Sequence, residues 1–146
     1  MSEADVELVR SIYEEFDDIA AATRDEQAAD RLEERLRKVF SPDVKAVLNG
    51  PPYSDIHETT RGLDGYRGLW RDWSRPFHSY VIEVEELVDL DGRVLALTQG
   101  RAQIAPDSQV ISNRGGTIWT IEEGLVTVVE HYIERADAER VAYERM

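Results

Sequence analysis

The sequence contains no cysteine. A disulfide framework, a thiolate nucleophile and a Cys-ligated zinc or iron–sulfur site are therefore all excluded. Basic residues are also scarce, 17 against 30 acidic ones, and the formal charge is −13. A phosphate backbone needs a positive footprint, so nucleic acid is not an expected partner, and an anionic membrane surface is disfavoured for the same reason. No run of about 18 apolar residues occurs that would span a bilayer. The N-terminal stretch MSEADVELVR lacks the basic patch and apolar run of a signal peptide, which makes a cytoplasmic location the default expectation. Gly-rich phosphate loops, G-x-S-x-G elbows, H-x-H and EF-hand spacings are missing as well, so neither a metal nor an organic cofactor is expected.

What is present is ordinary globular material. Hydrophobic residues make up 42% and charged residues 32% of the 146, enough for one domain spanning residues 1–146 with a proper core.

Ser2 followed by Asp5 forms a capping-box pattern, and Val6, Val9, Ile12, Tyr13, Phe16, Ile19 and Ala20 recur at helical spacing, which predicts a helix over 3–21. A second box, Thr23 with Glu26, precedes Ala29, Leu32, Leu36, Val39 and Phe40 on one helical face, stopped at Ser41-Pro42. Residues 44–48 read as a short strand that ends in Asn49-Gly50-Pro51-Pro52, and 53–60 as another strand. Tyr66, Leu69, Trp70 and Trp73 suggest a third helix after Gly62, closed by Pro76. Turn signals at Asp91-Gly92, 105–108 and Glu123-Gly124 divide the remainder into strands over 78–89, 93–105, 110–121 and 125–134. The short connections make these an antiparallel meander, followed by a polar tail over 135–146 that is a short helix or frays. Helices first and sheet second give an α+β class with helices on one face of a curved antiparallel sheet.

The order of these pieces resembles the nuclear transport factor 2-like superfamily, and especially its SnoaL-like branch. The resemblance is carried by VRSIYEEF (9–16), VFSPDV (39–44), RGLDGY (61–66), EVEELVDLDGRVLAL (83–97) and TIWTIEEGLVTVVEHYIER (117–135). It implies a cone-shaped sheet with three N-terminal-side helices over an internal pocket. It also implies a function as a small-molecule pocket protein, either a cofactor-independent isomerase, dehydratase, cyclase or hydrolase, or a non-catalytic ligand-binding or dimerisation domain. Members frequently dimerise through the outer sheet face, and Leu95, Leu97, Val128 and Tyr132 are apolar candidates for that face in a homodimer. One departure stands out, a longer segment over 17–27 between the first two helices, which either reshapes the pocket mouth or, as the expected outcome, lengthens a helix.

Strand alternation groups Val129, His131 and Ile133 on one face. An imidazole there, titrating near neutral pH, suits a general base or acid, or else is a core histidine satisfied by hydrogen bonds. Asn49 falls where the resemblance places a catalytic or water-orienting polar residue, and Thr98 where it places an inward-facing strand residue, with Arg101 then outward. Asp55 and His57, two apart on the 53–60 strand, share a side and form a possible proton-transfer pair or a surface pair. Among the aromatics, Tyr53, Trp73 and Trp119 are the expected pocket walls for a small hydrophobic or aromatic ligand.

Overall fold

The computed structural model of this protein describes residues 3–146; the Ser2 cap falls outside them. The elements run α1 (Glu3–Glu15), α2 (Ile19–Arg24), α3 (Glu26–Leu36), β1 (Phe40–Asn49), β2 (His57–Arg61), α4 (Gly62–Ser74), β3 (Ser79–Asp89), β4 (Arg93–Gln103), β5 (Ile111–Glu122), β6 (Leu125–Tyr132) and α5 (Arg135–Glu144). This is the α+β architecture expected, a curved sheet with helices before it.

The helix expected over 3–21 is broken in two. Asp18 has extended backbone and its side chain accepts from Ala21 N at 3.1 Å, capping a new helix. The same oxygen accepts from Tyr80 N on β3 at 3.0 Å, so one carboxylate starts the second helix and fastens it to the sheet. The Thr23 and Glu26 capping box does not form. Asp25 caps α3 instead, accepting from Gln27 N and Ala28 N, while the Thr23 hydroxyl meets Ala20 O and Ser74 Oγ.

The sheet order is β2-β1-β6-β5-β4-β3. The predicted meander of β3 to β6 is present and antiparallel throughout. Its Asp91-Gly92 and Glu123-Gly124 turns place both central residues at positive φ, the geometry whose twist suits a two-residue hairpin. β1 joins this meander in parallel with β6 and continues antiparallel into β2. It starts earlier than expected, at Phe40, and carries Pro42 within a register irregularity between Phe40 and Lys45, where a missing ladder N–H is tolerated. β2 starts later, at His57. Residues 51–56 form a turn closed by Gly50 N donating to Ile56 O, and Tyr53 there is 85% exposed.

The concave face holds the main core, where Phe40, Val44, Ala46, Tyr66, Val94, Ala96, Trp119 and Val129 pack with Val9 and Ile12 of α1. The opposite face is covered by α5, whose Ala138 and Ala142 pack on Leu95, Leu97 and Ile118, with Tyr132 at the edge. Leu95, Leu97 and Tyr132 are thus covered within one chain, and their apolar character requires no second copy. The strap is pinned at its far end by Arg145, which donates two hydrogen bonds to the Glu130 carboxylate at 2.7 and 2.9 Å. Arg135 fastens the near end to Thr98 O and Glu85.

The close approach of α5 depends on Gly116, because a Cβ there would lie 2.6 Å from that of Ala138. Gly116→Ala is expected to cost about 1–3 kcal/mol through overpacking, measured as a lower urea midpoint with unchanged slope. An unaltered midpoint would show that α5 is not seated as described.

Candidate functional site

His131 is on the concave face, as the alternation with Val129 and Ile133 requires, and only 8% exposed. Its register partner on β5 is Thr117 and on β1 is Leu48. Nδ1 meets the Thr117 hydroxyl at 2.9 Å and Nε2 meets the Tyr66 hydroxyl at 3.1 Å. A neutral imidazole donates from one nitrogen and accepts at the other, and a hydroxyl serves either role, so both contacts are satisfied at once. Aromatic rings enclose the rest: Tyr66 stacks at 5.8 Å with an interplanar angle of 3°, and Trp70 and Trp119 approach edge-on at 5.0 and 6.1 Å. Trp119 in turn donates its indole N–H to the Tyr13 hydroxyl at 3.2 Å.

This enclosure decides the protonation state. Burial pushes the His131 pKa from 6.5 down to about 3, because an imidazolium there would lose its hydration with no carboxylate to compensate. Burial also pushes Tyr13 up to about 12 and raises Tyr66 further. The expectation of an imidazole titrating near neutral pH is therefore corrected. At physiological pH the group is a fixed, neutral hydrogen-bonding element.

Of the other residues singled out in the sequence, Trp119 lies against it, whereas Asn49, Tyr53, Asp55 and His57 do not gather there. Asn49 follows Leu48, which is in the core, and pairs with Tyr132, whose ring packs on the opposite face. Strand alternation therefore turns Asn49 away from His131. Asn49 Oδ1 instead meets His57 Nδ1 at 2.9 Å on β2. Asp55 is exposed in the preceding turn rather than on a shared strand, so the strand spacing that would pair it with His57 is absent. Tyr53 is exposed, with its hydroxyl 3.4 Å from Glu134. Trp119 and Thr98 are buried on the concave face, and Trp73 is half-buried against Tyr80 and Phe77. Arg101 points outward and pairs with Glu83.

The open space is elsewhere. A cavity of about 370 Å³ lies among the helices, walled by the junction of α1 and α2, by α2 itself, by α3 and by one side of α4. Phe16, Leu32, Leu36, Leu63, Tyr66 and Trp70 supply its apolar surface. None of the residues expected to line the pocket does so, because Trp119, Phe40, Tyr66 and His131 fill the interior of the sheet. Segment 17–27, expected to lengthen a helix, forms this cavity's wall. Tyr66 and Trp70 are shared, lining the cavity and touching His131 behind it. The ion pairs of Arg35 with Glu15 and of Arg67 with Asp30 and Glu33 tie α1 and α4 to α3 around it. Among the described residues no cluster of three or more His, Asp or Glu is placed to hold a metal ion, and no helix is long and apolar enough to cross a membrane.

The depressed pKa of His131 has a pH signature of fixed sign. Between pH 6.5 and about 3 the unfolded chain binds a proton there that the native state refuses, so this contribution is complete above 6.5 and falls with pH. From pH 7 to pH 5 it should remove about 2 kcal/mol of unfolding free energy. His131→Asn should flatten that part of the profile in urea titrations; equal pH slopes for the two proteins would refute a buried neutral imidazole.

The family model of the SnoaL-like domain matches residues 9–129. No curated protein matches the sequence. Among solved structures, a protein assigned as a SnoaL-like polyketide cyclase from Jannaschia sp. CCS1 is similar at TM-score 0.64 and 13% identity, over 88% of this chain and 83% of the other. TerC, co-crystallised with polyporic acid, matches at TM-score 0.67 and 16% identity, covering 97% and 99%. An NTF2-like protein of unknown function from Burkholderia pseudomallei matches at TM-score 0.62 and 18% identity, covering 96% and 98%. With the helices, the sheet order and this match over most of its length in agreement, the chain belongs to the SnoaL-like domain family.

Proposed function

We propose that this protein binds a small, largely apolar metabolite with aromatic character in the cavity between α1 and α4, and that binding itself is its function. The observation that carries this reading is the cavity of about 370 Å³ with Phe16, Tyr66 and Trp70 in its lining. Its size falls within the roughly 300–1,000 Å³ of small-molecule sites, and its mixture of apolar wall and charged rim is the usual composition of such sites. Nothing in the lining is an imidazole, and His131 is engaged at both nitrogens and neutral. Related chains of this fold include one assigned as a polyketide cyclase and one co-crystallised with polyporic acid, which agrees with a small-molecule occupant.

The neutral fluorescent probe N-phenyl-1-naphthylamine tests this. Its emission should rise on mixing with the protein, and Ala28→Trp, which fills the cavity from α3, should abolish the rise while the fold is retained by circular dichroism. The same rise in the filled variant would place binding elsewhere and sink the proposal.

A second reading, a cofactor-independent acid–base enzyme, has Tyr66 in its favour. This residue lines the cavity with its ring while its hydroxyl engages His131 Nε2, backed by Thr117 on the other nitrogen. In such an enzyme Tyr66 would meet the substrate, and the imidazole would hold or accept its proton. Tyr66→Phe should then lower turnover by about 10²-fold or more while leaving ligand affinity within a few-fold. Turnover unchanged in that variant would leave the binding reading alone.

A further inference from the structure

The rim of the cavity has an uneven charge balance. Glu15, Asp17, Asp18, Asp25 and Glu33 face Arg31, Arg35 and Arg67. Arg35 is paired with Glu15, and Arg67 with Glu33 and Asp30, so those charges are compensated locally. Asp17, Asp18 and Asp25 are left against Arg31. Asp18 and Asp25 accept only from neutral backbone N–H groups, of Ala21 and Tyr80 and of Gln27 and Ala28, which leaves their negative charge in place. Arg24, just outside the lining, donates to the neutral carbonyl oxygens of Phe77 and His78 and by the same reasoning keeps its positive charge. Asp17, Asp18 and Asp25 still outnumber Arg31 and Arg24, three to two.

We propose that the occupant of this cavity is an organic cation, an alkyl- or arylammonium whose apolar part packs on Leu32, Leu36 and Leu63 and whose charged nitrogen lies at the rim by Asp17 and Asp18. The inference rests on the small-molecule reading above and specifies its ligand class. Three features converge on it. The rings of Phe16, Tyr66 and Trp70 in the wall present the kind of surface whose negative π-faces attract ammonium groups. The rim carries surplus carboxylate. The whole chain, at −13, draws cations and repels anions at long range. A carboxylate ligand of the same shape would face three aspartates with Arg31 as its one free partner in the lining.

The test is calorimetric and uses a matched trio: 4-phenylbutyltrimethylammonium, its neutral tert-butyl isostere, and 5-phenylpentanoate. The ammonium should bind at least about 5-fold more tightly than the neutral isostere, with the difference shrinking as salt rises from about 50 to about 300 mM. Asp17→Asn should lower the ratio of ammonium to neutral affinity by about 2-fold or more, and Arg31→Gln should raise it by a similar factor. Equal affinities for the ammonium and the neutral compound, or tighter binding of the carboxylate, would overturn the assignment. Displacement of N-phenyl-1-naphthylamine separates the two failures. If the neutral isostere displaces it as well as the ammonium does, only the charge preference is wrong; if no member of the trio displaces it, the cavity reading falls with it.

Discussion

Much of this molecule depends on the carboxylate of Asp18. By accepting from Ala21 N and from Tyr80 N it caps α2 and ties the start of that helix to β3. A helix continued straight through residue 18 would carry Phe16 and Ile19 along one face. The cap instead sends Ile19 and Ala20 toward Tyr80 and Ala102. The space left between the displaced α2, α3 and α4 is the cavity, and the ion pairs of Arg35 and Arg67 close it from outside. The geometry around the cavity thus follows from one side chain satisfying two backbone donors, one local and one far away in the chain.

The other determining feature is how completely the sheet interior is filled. Tyr66, Trp70 and Trp119 surround His131 with rings, Phe40 packs behind them on Tyr66 and Trp119, and the two imidazole nitrogens are taken by Thr117 and Tyr66. A buried imidazole without a carboxylate beside it gives up its charge rather than its packing. The same filling moves the available volume out of the concave face and in among the helices. Both consequences turn an interior that looked chemically equipped into a hydrogen-bonded core that supports a neighbouring cavity.

Parts of this were legible in advance. The alternation of Val129, His131 and Ile133 placed the histidine on the inner face, and Asp91-Gly92 and Glu123-Gly124 marked the hairpins that hold the meander. The family resemblance put Thr98 inward, and opposite strand parity then put Arg101 outward. Other parts were not legible. Asp18 reads as one more polar position in an amphipathic run, because its choice between staying in a helix and capping one is made by Tyr80 N, 62 residues later. Asn49 has the residue type of a site but the parity of the outer face, and the register against β6 puts Leu48 beside His131. Segment 17–27 was visible as a departure in length, which was the one available hint of where the cavity lies.

The sequence by itself determined most of the order of helices and strands, the hairpin turns, the alternation of faces along the last strand, the acidic charge and the absence of thiol chemistry. These are local or additive properties, set by periodicity, turn residues and composition. The tertiary structure alone decided that α5 covers the outer face, that His131 stays neutral, and that the cavity opens among the helices with a negative rim. Each depends on groups far apart in the chain meeting in a medium of low polarity, where burial and a single distant hydrogen-bond partner outweigh what any local pattern encodes.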